Sequence, residues 1–241
     1  SLPNEPLQRL IQAYPKQLSH VAGNYLVWKD GTKMLIDDGL IKNEDMLFDS
    51  ADIEDQINEL RYMPGYCPDT PSYGCNPGTY RCIPFFQKMY GSTEAEVRRH
   101  LTTLWWPSAK GGQKLVVTTV NNVHLHLKAV ADELNAKPHL RQYIVKIGGG
   151  FNWRYVAGTT RPSPHSYGIA IDINTRHSHY WRWDHPDTDS TDAELNLRWH
   201  NTIPWEIVEI FEKHGFIWGG KWYHYDTMHF EYRPELLLEK K

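Results

Sequence analysis

Two segments far apart in the chain each join metal-ligating side chains to a short apolar run: Ser163-Pro-His-Ser-Tyr-Gly-Ile-Ala-Ile-Asp172 and Trp222-Tyr-His-Tyr-Asp-Thr-Met-His-Phe-Glu231. Their second halves, 168–172 and 227–231, are short and apolar enough to be buried strands. Imidazole and carboxylate are ligands that Zn²⁺ accepts, and a catalytic zinc site takes three of them plus an open position for water. His165 and Asp172 would face opposite sides of a straight strand, so the pair needs a bend, which Gly168 supplies. His229 would reach the same point from a neighbouring strand, with Met228 and Phe230 pointing the other way into the core. A chain with 13 histidines produces some His/Asp spacings by chance. Spacing alone therefore leaves two readings open, a metal centre and a scatter of surface or packing histidines.

Composition narrows the partners. A chain of 241 residues can bury one sizeable core, with room for a smaller appended module. The net charge of −3 and pI near 6.5 argue against nucleic acid as partner, because binding its backbone needs a clustered basic surface. No run approaches the roughly 18 consecutive apolar residues of a membrane span. The first residues, Ser1-Leu2-Pro3-Asn4, carry no charged-then-apolar leader, which decides little about export, and no membrane anchor is visible. Ten Trp and 14 Tyr suit either a groove for sugar or peptide or a core rich in large side chains. Cys67, Cys75 and Cys82 do not match a paired zinc-ribbon spacing. One local disulfide with a leftover thiol, and three reduced thiols, fit them equally well.

Along the chain, 6–14 has helical spacing, with Leu7, Leu10 and Ile11 on one side. Tyr25-Leu-Val-Trp-Lys and Thr32-Lys-Met-Leu-Ile flank Asp30-Gly31 and predict a hairpin. The Pro/Gly-rich stretch 64–84 predicts a long structured loop. Thr93 and Glu96 form a capping-box signature ahead of Val97, Leu101 and Leu104, which predicts a helix. A second unit starts near Gly111. It begins with a short strand over 115–120, then a helix capped by Asn121 or Asn122 carrying Val123, Leu127, Ala131 and Leu134 and ending before Pro138. Pro204 opens another helix, with Trp205, Val208 and Phe211 on one face, and Gly215 closes it. There is no internal repeat. The expectation is an α+β fold, with residues 1–110 an irregular N-terminal extension of unknown role and 111–241 the chemistry-bearing domain.

The run from Phe151 to Asn174 (Phe-Asn-Trp-Arg-Tyr-Val-Ala-Gly-Thr-Thr-Arg-Pro, then Ser163 to Asn174) resembles the D-Ala-D-Ala carboxypeptidase, or VanY-like, family. That family belongs to a wider group with lysostaphin-type peptidases and Hedgehog domains. Its signature, Ser-x-His-x-x-Gly-x-Ala-x-Asp, is followed by a Trp and then by an acidic residue three before a His. Gly215-Phe-Ile-Trp-Gly-Gly-Lys-Trp222 and Asp226-Thr-Met-His229 match that second half. The resemblance covers roughly residues 115 to 235. It implies a Hedgehog/DD-peptidase-like small antiparallel sheet flanked by helices, with zinc held by His165, Asp172 and His229. Asp226 matches the acidic position that activates water and later protonates the leaving amine. Arg154 matches the arginine that steadies the scissile carbonyl or a substrate carboxylate; by residue type alone it fits a surface salt bridge as well. Ser163 would support the turn, and Tyr167 and Trp222 would be pocket walls or core. Glu231 is an alternative base, or orients a ligand from behind. The activity implied is zinc-dependent hydrolysis of peptidoglycan stem peptides outside the cytoplasm, in the periplasm or cell envelope. Asp rather than Glu at 226 tilts this toward an L-Ala-D-Glu endopeptidase. A D,D-carboxypeptidase is the alternative, and a catalytically silent cell-wall binding module is the alternative of another class.

Three further clusters have plainer expectations. His124 and His126 sit two apart on a helix and point to different faces. His177 and His179, close to Tyr180, Trp181 and Trp183, fit a solvated loop or a groove lining. The acidic run from Asp184 to Asp192 lacks the Gly of a calcium loop and fits a solvated loop.

Overall fold

The computed structural model of the chain describes residues 5–58, 62–106, 112–187 and 196–238. Its helices and strands run α1 (Glu5–Ala13), β1 (Leu18–Ala22), β2 (Tyr25–Trp28), β3 (Lys33–Leu35), α2 (Glu44–Ser50), α3 (Ile53–Asn58), α4 (Ile83–Tyr90) and α5 (Glu94–Arg98). They continue with β4 (Leu101–Trp106), β5 (Gln113–Thr118), α6 (Val123–Asn135), α7 (Arg141–Ile144), β6 (Ile147–Gly149), β7 (Ala170–Asn174), α8 (Trp181–Asp184), α9 (Trp205–Lys213), β8 (Phe216–Trp218) and β9 (His229–Tyr232). Among the described residues three antiparallel sheets form, in orders β1-β2-β3, β4-β5 and β6-β7-β9-β8, with helices packed around them. The fold is α+β, as expected.

The four-stranded sheet is built on the two apolar runs. Ile171 and Ile173 of β7 and Phe230 of β9 are fully buried, and Phe230 stacks on Phe211 of α9 at 3.8 Å. Helix α9 buries Ile207, Val208, Ile210 and Phe211; α6 buries Val123, Leu127, Val130, Ala131 and Leu134. β7 and β9 pair Ile171 with Phe230, and Asp172 with His229. Side chains alternate along a strand, so this register puts Asp172, His229 and Glu231 on the face opposite Phe230. Met228 lies just before β9; it is buried in the core and also borders the cleft described below, so only Phe230 points wholly away from it.

Elsewhere the sequence expectations meet two corrections. The helix expected to carry Leu101 and Leu104 ends at Arg98, and both residues lie in β4, paired with β5. The run Leu-Thr-Thr-Leu-Trp-Trp is rich in β-branched and aromatic residues, and a partner strand was available. Thr93 does cap α5, accepting from the Glu96 amide, but Glu96 reaches back to the Ser92 amide rather than closing on Thr93. Asn122 precedes α6 with φ of 57° and no side-chain cap bond. The 25–35 hairpin is present, with a third strand, β1, that its sequence did not announce.

The first hundred residues are packed onto the rest. One continuous core runs from Leu7, Leu10 and Tyr14 through Phe85 and Trp106 to Phe230 and Tyr232. Gly111 lies outside the described residues, between the paired strands β4 and β5. The Pro/Gly-rich loop is sewn to the second motif: Tyr223 donates its amide to the Cys75 carbonyl, His224 to Asn76 Oδ1, and the Trp222 indole to the Pro77 carbonyl. Cys67, Cys75 and Cys82 are free thiols, and burial pushes the Cys82 thiol up to about 11. No helix among the described residues is long and apolar enough to cross a membrane.

Candidate metal centre and its cleft

His165 arrives at the site on a short 3₁₀ turn, 164–167, which Ser163 opens by accepting from the His165 amide. The turn closes on Gly168 at φ 73°, and a Cβ there would lie 2.9 Å from both Leu101 and the Thr118 amide. A left-handed conformation with no room for a side chain requires glycine. That reversal feeds directly into β7 and Asp172. His165 Nε2 lies 3.2 Å from Asp172 Oδ2, and His229 Nδ1 lies 3.2 Å from Asp172 Oδ1. The three therefore converge, and their ligand atoms all fall within 4.8 Å of one another.

Each imidazole is fixed from behind. His165 Nδ1 donates to the Gly150 carbonyl at 2.8 Å, which leaves the lone pair on Nε2, facing Asp172. Gly150 is itself dictated by packing, since a Cβ would meet the Val116 carbonyl oxygen at 2.5 Å. His229 Nε2 contacts Glu231 Oε1 at 3.0 Å, which leaves Nδ1 for the centre. Glu231 is completely buried and is gripped by Arg81 at 2.6 and 3.1 Å and by Arg233 at 3.5 Å. It stands behind the ligand, committed to two guanidinium groups. Burial works against its charge, but Arg81 and His229 outweigh that and hold its carboxyl well below the usual range.

These residues fit a tetrahedral divalent ion. Zinc–ligand bonds near 2.0–2.2 Å put adjacent ligand atoms about 3.3–3.5 Å apart, close to the spacings seen. His165 Nε2 is buried without a hydrogen-bond partner, the state of a donor atom prepared for a metal. Without an ion the triad holds a proton. Burial opposes charging His229, yet its hydrogen bonds with Asp172 and Glu231 push it up to about 10. Burial likewise opposes charge on Asp172, and the two histidines override it to hold that carboxyl far below its ordinary value.

Asp226 lies beside the triad. Its Oδ1 is buried with no hydrogen-bond partner, and burial together with the charge of Asp172 raises its carboxyl to about 7. Its backbone is pinned by a hydrogen bond from its N–H to the Gly219 carbonyl and by a bridge to Tyr180. Gly219 has no room for a side chain, because a Cβ would meet the Asp226 carbonyl at 2.5 Å. A carboxyl tuned near neutrality at the edge of an open cleft can take and return a proton.

The triad and Asp226 open into a cleft of about 800 Å³. Arg154 is exposed on its wall; among the described residues no carboxylate lies within salt-bridge distance of it, and its side chain donates only to the Tyr155 carbonyl. Trp222 is buried with its ring 5.5 Å from that of His229. Tyr167 is both wall and core, stacked on Phe86 at 5.6 Å. The far wall comes from the N-terminal part, with Phe48, Tyr73, Asn76 and Arg81. Sequence reasoning missed that wall, and named Tyr180 only as a neighbour of His177 and His179. The Gly148-Gly149-Gly150 run signals close backbone approach and could have flagged the support behind His165; nothing local marks Arg81 as the partner of Glu231. His124 and His126 contribute no ligand to this site, and His126 stacks on Tyr232.

Residues 157–232 match the family model described as D-alanyl-D-alanine carboxypeptidase. The matched segment contains all three triad residues and Asp226 but begins after Arg154 and excludes the N-terminal wall. No curated protein matches the chain.

Proposed function

We propose, from the premise that residues 157–232 belong to the D-alanyl-D-alanine carboxypeptidase family of peptidases, that this chain is a zinc-dependent hydrolase of peptidoglycan stem peptides working outside the cytoplasm. The observation that carries the reading is the convergence of His165, Asp172 and His229 beside a half-buried Asp226 whose Oδ1 is buried without a hydrogen-bond partner, all lining one open cleft. When bound, zinc supplies Lewis acidity toward the scissile carbonyl and the attacking water. Asp226 takes a proton from that water at its carboxylate and returns it to the leaving amine. In the metal-free protein burial and the charge of Asp172 raise this carboxyl to about 7, and beside a bound zinc it would shift back toward the carboxylate form that accepts the proton. Arg154, which has no carboxylate within salt-bridge distance among the described residues, offers a guanidinium suited to the carbonyl oxygen or to a substrate carboxylate. Trp222 and Tyr180 line the cleft beside the triad. A binding module would have no use for Asp226 held in this state, which favours the enzyme.

Within that reading the bond cut is L-Ala-D-Glu, on the strength of Asp226 in the acidic position. The open cleft agrees, since an internal bond needs room on both sides. Mass spectrometry of muropeptides after incubation with zinc-loaded protein tests it. Release of a peptide beginning with D-Glu is the expected result. Loss of a single terminal D-Ala would convert the assignment to a D,D-carboxypeptidase, and unchanged muropeptides would overturn the enzyme reading.

A further inference from the structure

Outside the triad, a second set of nitrogen and oxygen donors converges at the edge of the cleft. His179 lies just ahead of α8, Asp184 is the last residue of α8, and His200 comes from the segment that follows 196. His179 Nδ1 is 3.2 Å from Asp184 Oδ2, and His200 Nδ1 is 3.9 Å from the same oxygen. The three ligand atoms lie within 4.8 Å of one another. The two imidazole rings stack with centroids 3.6 Å apart.

The surroundings hold these donors in place. The His179 amide donates to Thr227 Oγ1 at 2.8 Å, and the Thr227 amide returns a bond to the His179 carbonyl at 2.9 Å. The fully buried Tyr225 donates its hydroxyl to Asp184 Oδ2 at 2.7 Å, orienting the carboxylate as a supporting residue does behind a metal ligand. Thr202 donates to the His177 carbonyl and ties the His200 segment to the strand side. The plain alternative is an ion pair, and it accounts poorly for the geometry. A hydrogen bond between His179 and Asp184 leaves His200 Nδ1, 3.9 Å from the same carboxylate, beyond hydrogen-bond reach. A cation at the rim of the stacked pair, facing both Nδ1 atoms and the carboxylate, would engage all three donors once the rings splay to aim their lone pairs at it.

We propose that His179, Asp184 and His200 form a second divalent metal site. Two imidazoles and one carboxylate are a zinc donor set, and the adjacent-ligand spacing of about 3.3–3.5 Å that tetrahedral zinc imposes falls between the two distances seen. Asp184 and His200 are exposed, so solvent completes the coordination. The ion would brace α8, whose Trp181, Arg182 and Trp183 border the cleft, against the segment at 200. Tyr180, next to His179, bridges to Asp226, so bracing here steadies the wall that carries the acid–base residue.

The test is zinc stoichiometry by elemental analysis after dialysis of the whole chain against low-micromolar free zinc, independent of any activity. Wild type should hold two ions, while His200→Ala and His229→Ala should each hold one. Because His200 is 58% exposed its removal should leave the fold intact, and Asp184→Asn, which keeps an acceptor for Tyr225, provides a second variant that should also hold one. Equal zinc in wild type, His200→Ala and Asp184→Asn would overturn the site. One ion in wild type that is lost in His229→Ala alone would leave the triad standing without it. One ion lost in His200→Ala alone would support this site and sink the triad as the metal centre.

Discussion

His229 serves two neighbours with different tasks, and its protonation links them. Glu231 fixes the ring through Nε2, and Asp172 shares Nδ1, the atom a metal would take. In the metal-free protein the folded state raises this imidazole to about 10 from an ordinary 6.5. Its contribution to stability is therefore complete below about pH 6.5 and is lost as pH climbs through about 10. Zinc must displace the same proton, so apparent zinc affinity should rise about tenfold per pH unit below pH 10, a slope that competition titration with a chromophoric chelator measures. A flat dependence would mean that His229 is not a ligand. Asp226 separates binding from chemistry. Asp226→Ala should lower turnover about 10²–10⁴-fold while leaving bound zinc unchanged, read by product formation beside elemental analysis. If activity persisted, the proton would have to move through another group.

At the scale of elements, the site depends on one reversal and one register. Gly168→Ala introduces a side chain at φ 73° against Leu101 and Thr118, and should cost at least about 1–3 kcal/mol in urea unfolding. Arg81→Ala removes the main partner of a fully buried carboxylate and should cost about 3–5 kcal/mol, with zinc affinity falling as His229 loses its anchor. A loss below 1 kcal/mol would show Arg233 alone to be sufficient for Glu231. Both strands of the site were legible in the sequence, because each is a short apolar run bearing its ligand on one face, and Gly168 was the residue that a bend demands. The Leu101 and Leu104 spacing fits a helix, and what decided for a strand was pairing with Gln113–Thr118, which no local pattern contains. Arg81 was invisible for the same reason, being 150 residues from Glu231.

For the whole molecule, the N-terminal part belongs to the working structure. A buried chain of contacts runs from Tyr14 to Glu235, from Glu235 to Arg233, and through Glu231 to His229. Arg81 and the loop 64–82 add the far wall of the cleft. A fragment beginning at 112 would expose the apolar surface now covered by Leu10, Tyr14, Phe85 and Phe86, and would leave Glu231 without Arg81. It should lack the cooperative thermal transition of the full chain by circular dichroism, and a sharp transition at the native temperature would contradict the single-core reading. The central claim is that the triad holds the zinc on which peptide hydrolysis depends. The direct measurement is stem-peptide cleavage by chelator-treated protein, before and after zinc is restored, alongside His229→Ala. The account predicts no cleavage after chelation, recovery in wild type on adding zinc, and none in His229→Ala. Undiminished cleavage by the chelated protein, or by His229→Ala, would contradict it.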